Sequence, residues 1–138
     1  MRLVSFFQLS IPLAAAASFL FGGVFYGLLG KHWLAALGKT EAEMKSSGRP
    51  IPLLFAITYL AQLVMAWALA CVMAQASAVS LAGGMAAGAL AWLGFAITIL
   101  VVNHGYQGSR WLLTVIDGLH WLGVLLIEGA ILGILGIR

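Results

Sequence analysis

Two acids and a histidine, Asp117, Glu128 and His120, stand in the last apolar stretch of this chain, where ionisable side chains are out of place. An acid at the centre of a membrane helix costs about 2.5–3.5 kcal/mol on insertion scales, so such residues need a partner or a task. At about 100° per residue, with Asp117 as origin, His120 falls near 300° and both Glu128 and Arg110 fall near 20°. The four form one polar stripe. Lipid cannot satisfy it, so it must face the bundle interior, a water-filled cavity or another subunit. The chemistry open to such a stripe is carriage of a proton by Asp117, or capture of an ionisable ligand by its carboxylate with His120 as partner.

Polar residues on the other apolar stretches fall at a comparable depth. Counted from the cytoplasmic ends, Tyr26, Thr58, Tyr59, Thr98, Asp117 and His120 lie about 7–14 Å into the core at ~1.5 Å per residue. The expected ligand or proton site is therefore Asp117, His120, Tyr26, Tyr59 and Thr98, with Gln62 one turn below Thr58. Asn103, His104, Arg110 and His32 would rim the mouth of a shallow pocket. A purely structural account competes with this one: Asp117 pairs with Arg110 or His120, and Tyr and Thr hydroxyls satisfy the rest. Interhelical hydrogen bonds in membranes average only ~0.6 kcal/mol, a small return for ionised residues. Glu128 has Ser18 and Gln75 as its nearest polar candidates, or else it faces another subunit beside Gly129 and Gly133.

Other chemistries find less support. No Ser or Cys nucleophile motif stands beside Asp117 and His120, and no Gly-rich phosphate loop precedes a helix, so an enzyme is not the expectation. His32, His104 and His120 have no His-x-x-x-His or Glu-x-x-His spacing that would fix two ligands on one helical face, so neither a metal nor another cofactor is expected.

The elements that must position these residues follow from composition. The 138 residues are 63% hydrophobic and 8% charged, with a mean hydropathy of +1.08. Soluble domains carry ~25% charged and ~45–50% apolar residues, so the chain is a polytopic membrane protein. Its expected fold is an all-α, four-transmembrane-helix bundle forming one domain over 1–138, with spans at 9–29, 52–74, 81–102 and 111–135. Ala14 to Ala17 imitate a signal-peptide cleavage site, but the stretch reads as the first span. The one longer polar loop, 30–50, holds Thr40-Glu41-Ala42-Glu43, the spacing of a capping box and hence a short helix. Trp33, Leu34 and Leu37 recur at helical spacing before it, which makes Trp33, like Trp111, an anchor at the lipid interface.

Seven Lys and Arg stand against four Asp and Glu. In a membrane chain this excess orients the protein and does not recruit nucleic acid. Lys31, Lys39, Lys45, Arg49 and Arg110 collect on one side against Arg2 and Arg138 on the other. The loops 30–50 and 103–110 are thus expected in the cytoplasm, both termini on the opposite side, and 75–80 as a tight turn there. The single cysteine, Cys71, excludes an internal disulfide and reads as a small buried hydrophobe.

Gly23 and Gly27, Gly84 and Gly88, and Gly129 and Gly133 have the spacing that lets membrane helices approach closely, within one bundle or between copies. Gly27 to Leu34 and Gly105 to Leu112 share Gly-x-x-Gly-x-basic-Trp-Leu, as duplicated two-helix halves or chance would produce. Three stretches carry a wider likeness: Gly22-Gly23-Val24-Phe25-Tyr26-Gly27 with Gly30-Lys31-His32-Trp33; Asn103-His104-Gly105-Tyr106; and Ile116-Asp117-Gly118-Leu119-His120-Trp121 ahead of Glu128-Gly129-Ala130-Ile131-Leu132-Gly133. In these, and in its hydropathy pattern over nearly its whole length, the chain resembles the small four-helix bacterial membrane proteins catalogued as domain of unknown function seventeen-sixty-one. The resemblance implies the four-span fold, directs attention to Tyr26, Trp33, Asn103 and Asp117, and carries no activity. Members have an aromatic-Glu-Gly-Arg run after the Asn, where this chain has Tyr106-Gln107-Gly108-Ser109-Arg110, so no loop-borne carboxylate chemistry is implied here.

The reading that emerges is a protein of the bacterial cytoplasmic membrane that binds or transports a small amphipathic or ionisable ligand, as a homo-oligomer. The alternative is an accessory subunit packed against a larger membrane complex, such as a respiratory or photosynthetic assembly.

Overall fold

The computed structural model describes residues 3–137. They form an all-α fold of five helices: α1 (Ser10–Leu37), α2 (Glu41–Ser47), α3 (Ile51–Gln75), α4 (Leu81–Tyr106) and α5 (Trp111–Leu135). Four of these, α1, α3, α4 and α5, are long and apolar enough to cross a membrane, as composition required. Arg2 and Arg138, which entered the charge count, lie outside the described residues.

Local signals set most of the boundaries. Gly38 stops α1 by taking a left-handed conformation, φ 74°, from which its N–H reaches the carbonyls of Leu34 and Ala35. A residue with a Cβ is disfavoured there. The capping box at Thr40 forms: Glu43 N–H donates to Thr40 Oγ1 at 3.2 Å and Thr40 N–H donates to Glu43 Oε2 at 2.7 Å, starting α2. Pro50 and Pro52 open α3, where a missing N–H costs nothing. Ser80 caps α4 by accepting from Gly83 N–H, after the short turn at 76–80. Within α4, Trp92–Ala96 form a π-helical turn.

The first helix is eight residues longer than hydropathy indicated. It runs through Gly30-Lys31-His32-Trp33 to Leu37 because Leu34 to Leu37 are good helix formers and a lone glycine does not end a helix. The consequence is a change of level between helices. Phe55 and Tyr59, near the start of α3, pack on Phe19, about 10 Å along α1 from Tyr26 at 1.5 Å per residue. Thus α3 starts well short of the end at which α1 and α5 meet.

The central helix is α5, which packs against both α1 and α4, while α3 packs mainly on α1. Burial follows this arrangement: 39% of the apolar window of α5 is buried inside the protein, against 6% for α4, so α4 presents most of its surface outward. One core joins Ile11, Ala14, Ala66, Leu69, Ala70, Met73, Leu125 and Leu132 of α1, α3 and α5. A second lies at the other end, where Ala36, Leu113 and Ile116 meet Phe25, Tyr26, Trp33 and Leu37.

Glycines permit the α4–α5 contact. A Cβ on Gly84 would collide with the carbonyl of Gly129, one on Gly129 with that of Gly84, one on Gly88 with that of Leu125, and one on Gly133 with that of Ser80. Backbone therefore meets backbone, the arrangement that van der Waals packing favours in lipid. Gly129 and Gly133, read from sequence as an oligomer or partner surface, are consumed inside the monomer. Gly23 and Gly27, by contrast, have open space where a Cβ would stand. The two copies of the sequence repeat also differ, since 27–34 lie inside α1 while 105–112 cover the end of α4, a turn with Gly108 at φ 67°, and the start of α5.

Candidate functional site

The best-partnered carboxylate on the four long apolar helices is that of Asp117, on the face of α5 toward α1. Tyr26 Oη donates to its Oδ1 at 2.6 Å and Trp33 Nε1 donates to the same oxygen at 3.1 Å. Tyr26 and Trp33 are seven residues apart on α1, about 20° around a helix, which is why both reach one acceptor. The second oxygen, Oδ2, faces His104 Nε2 at 3.8 Å, beyond a direct hydrogen bond. His104 is held from its other nitrogen, Nδ1, 2.9 Å from Thr114 Oγ1. The Asp117 side chain is 16% exposed and that of His104 11%, so the pair sits near the margin of the protein.

Three helices build this site, α1, α4 and α5. Tyr59 turns away, donating from its hydroxyl to the Pro12 carbonyl at 3.3 Å, and Thr58 donates to Leu54 of its own helix. Thr98 is exposed and bonds within α4, to the carbonyls of Gly94 and Phe95. The polar layer expected from all four spans therefore loses Thr58, Tyr59 and Thr98. For Thr58 and Tyr59 the reason is the overhang of α1, since depth counted from 29 and from 52 does not refer to one plane, whereas Thr98 lies on the exposed face of α4.

His120 is near Asp117 in sequence but is not its hydrogen-bonding partner. Its ring is buried among Phe21, Phe25, Tyr26 and Trp121, with centroids 4.7 Å from both Tyr26 and Trp121. Its Nδ1 has no partner, and a Cβ on Gly22 would stand 2.9 Å from its Nε2. Arg110 also leaves Asp117 alone. It donates from Nη1 to the Ala35 carbonyl at 2.9 Å, in the last turn of α1, where helix carbonyls lack internal partners. Asn103 and His32 are exposed. Of the four expected rim residues, His104 alone contacts the carboxylate.

A second polar group lies about 16 Å along α5 from Asp117 at 1.5 Å per residue. Glu128 Oε1 is 3.0 Å from Ser18 Oγ, which is also 3.2 Å from Gln62 Oε1 and 3.1 Å from the Ala15 carbonyl. All three side chains have no exposed surface. Ser18 was legible as a neighbour of Glu128, whereas Gln62 was not, because it had been counted to the wrong level. Glu128 faces inward and so is not part of an outer surface of the chain.

Sequence reasoning missed the roles of Trp33, Thr114 and Trp92. Trp33 read as a lipid anchor because its indole is apolar, although its spacing from Tyr26 placed both on one face of α1. Trp111 does take the outward place expected of an anchor, at 67% exposed. Trp92, at the π-helical turn, donates from Nε1 to the Gly118 carbonyl at 2.7 Å, which ties the irregular turn of α4 to the residue following Asp117. A cavity of 620 Å³ lies elsewhere, an apolar groove between α3 and α4 lined by residues such as Met65, Ala68, Ala87, Leu90 and Phe95. Among the described residues no cluster of three or more His, Cys, Asp or Glu could hold a metal ion.

A family model described as a protein of unknown function (DUF1761) matches residues 9–133 of the chain. No curated protein and no solved structure matches it.

Proposed function

The chain belongs to the DUF1761 family of proteins of unknown function, and on that footing we propose that it is a multi-pass protein of the bacterial cytoplasmic membrane that binds a small amphipathic or ionisable molecule at Asp117. The observation that carries this reading is the asymmetry of the carboxylate. One oxygen is taken by Tyr26 and Trp33, while the other faces His104 across 3.8 Å with no direct donor. Two donors on one oxygen fix the orientation of the group and leave the other oxygen for a ligand N–H or a proton. The neighbouring aromatic rings of Phe25, Tyr26 and Trp33 suit an apolar body attached to that polar end. The excess of Lys31, Lys39, Lys45, Arg49 and Arg110 at this end of the bundle supports a cytoplasmic orientation, in which the ligand would enter from the cytoplasm or the inner leaflet.

Native mass spectrometry of the protein, extracted in mild detergent from cells making it at a low level, tests the proposal. The wild type should retain a small-molecule mass that Asp117→Asn loses. Retention of the same mass by the variant would remove Asp117 from the mechanism. The outward face of α4, with 6% of its window buried, supports a second reading, an accessory subunit of a larger membrane complex. A stoichiometric foreign subunit and no small mass would select it.

A further inference from the structure

Glu128 is the acid that the Asp117 site does not use. Its side chain has no exposed surface, its Oε2 has no hydrogen-bond partner, and it takes part in neither ion pair found among the described residues, Lys45–Glu41 and His104–Asp117. Around Ser18 Oγ stand three further oxygens, Glu128 Oε1 at 3.0 Å, Ala15 O at 3.1 Å and Gln62 Oε1 at 3.2 Å. One hydroxyl carries one proton and can donate to one of them. Exchanging the oxygen and nitrogen of the Gln62 amide still leaves the Glu128 carboxylate with a single neutral donor. It only moves the orphaned amide atom from Nε2 to Oε1. A fully buried carboxylate with one neutral donor lacks a positive charge.

We propose that Ser18, Gln62 and Glu128, with the Ala15 carbonyl, form a dehydrated binding site for a sodium ion between α1, α3 and α5. The donor set is all oxygen, as a hard cation requires, and a cation that holds oxygens at about 2.4 Å spaces neighbouring ones by about 3.4 Å, close to the separations around Ser18. The single carboxylate matches a single positive charge, whereas a divalent ion would leave an uncompensated charge in a medium of low dielectric. Ser10, also buried and with an unpartnered hydroxyl, lies eight residues from Ser18, about 80° around α1 and about 12 Å toward its N-terminal end, outside the site itself. The site shares no residue with the Asp117 site, so either can fail without the other.

The test uses dicyclohexylcarbodiimide, an apolar reagent that adds to the protonated carboxyl group, on the purified full-length protein at one fixed pH, with adducts located by peptide mass spectrometry. Bound sodium competes with the proton for Glu128. Replacing about 100 mM choline chloride by the same concentration of sodium chloride should slow labelling of Glu128 about fivefold or more by mass action, while labelling of Asp117 stays unchanged. Ser18→Ala, which keeps the carboxylate and removes one ligand, should raise the sodium concentration for half-protection about tenfold. Equal rates for wild-type Glu128 in the two salts overturn the proposal. If Glu128 is unreactive in choline, radiolabelled sodium retained by the wild type is compared with that retained by Glu128→Gln, and equal retention overturns it as well.

Discussion

Tyr26 and Trp33 meet on one oxygen of Asp117 although sequence pattern assigned them separate tasks, one in a pocket wall and one at the lipid interface. Removing the phenolic donor alone should separate positioning from folding. Tyr26→Phe is expected to lower stability by about 1–2 kcal/mol, the range for a hydrogen bond to a charged group offset by weak returns in membranes, and to abolish retention of the small mass. Detergent-titrated unfolding followed by tryptophan fluorescence gives the first quantity and native mass spectrometry the second. His120 offers a different test. With its Nε2 beneath Gly22, Gly22→Ala forces the imidazole aside and should cost about 1–3 kcal/mol. The double variant Gly22→Ala, His120→Ala should be less destabilised than the sum of the two single changes, because the clash exists only when both side chains are present. Strict additivity in the same unfolding measurement would show that the two sites do not touch.

At the scale of elements, glycines divide into those that seat one helix on another and those that do not. Gly84 and Gly129 face each other backbone to backbone, whereas Gly23 and Gly27 open onto free space. Gly84→Val should therefore destabilise by several kcal/mol, since nothing but a separation of α4 from α5 can make room. Gly27→Ala should be neutral or stabilising by up to about 1 kcal/mol through helix propensity. Resistance to unfolding in detergent checks both, and a similar loss at both positions would refute the division. Sequence spacing identified all these residues as small and periodic. It did not say which had a partner helix, because the motif depends on what lies opposite.

For the whole molecule, the charge distribution and the even number of spans make a prediction about sidedness. A reporter fused after Ile137 should fluoresce poorly if it requires the cytoplasm to mature and should be active if it is an alkaline phosphatase. A cysteine introduced at Ser46, in exposed α2, should react with a membrane-impermeant maleimide only after the cells are opened. The native Cys71 is 7% exposed and should give little background. Labelling of Ser46→Cys in intact cells would reverse the orientation and move the Asp117 site to the outer face.

The sequence alone determined that four helices are long and apolar enough to cross a membrane, where most of them begin and end, and that Thr40 caps a short helix, and it offered Ser18 among the candidate neighbours of Glu128. These properties follow from composition and helical period, which act within a segment or along one axis. Tertiary structure decided the rest. The extension of α1 to Gly38 set α3 lower than α1 and α5, and that offset removed Tyr59 and Thr58 from the Asp117 layer while bringing Gln62 to Glu128. It also let Arg110 find the end of α1 in place of Asp117. Hydropathy reports that a residue is in the apolar region but not which plane it occupies when helices end at different heights. A contact between polar side chains depends on that plane to within about one helical turn.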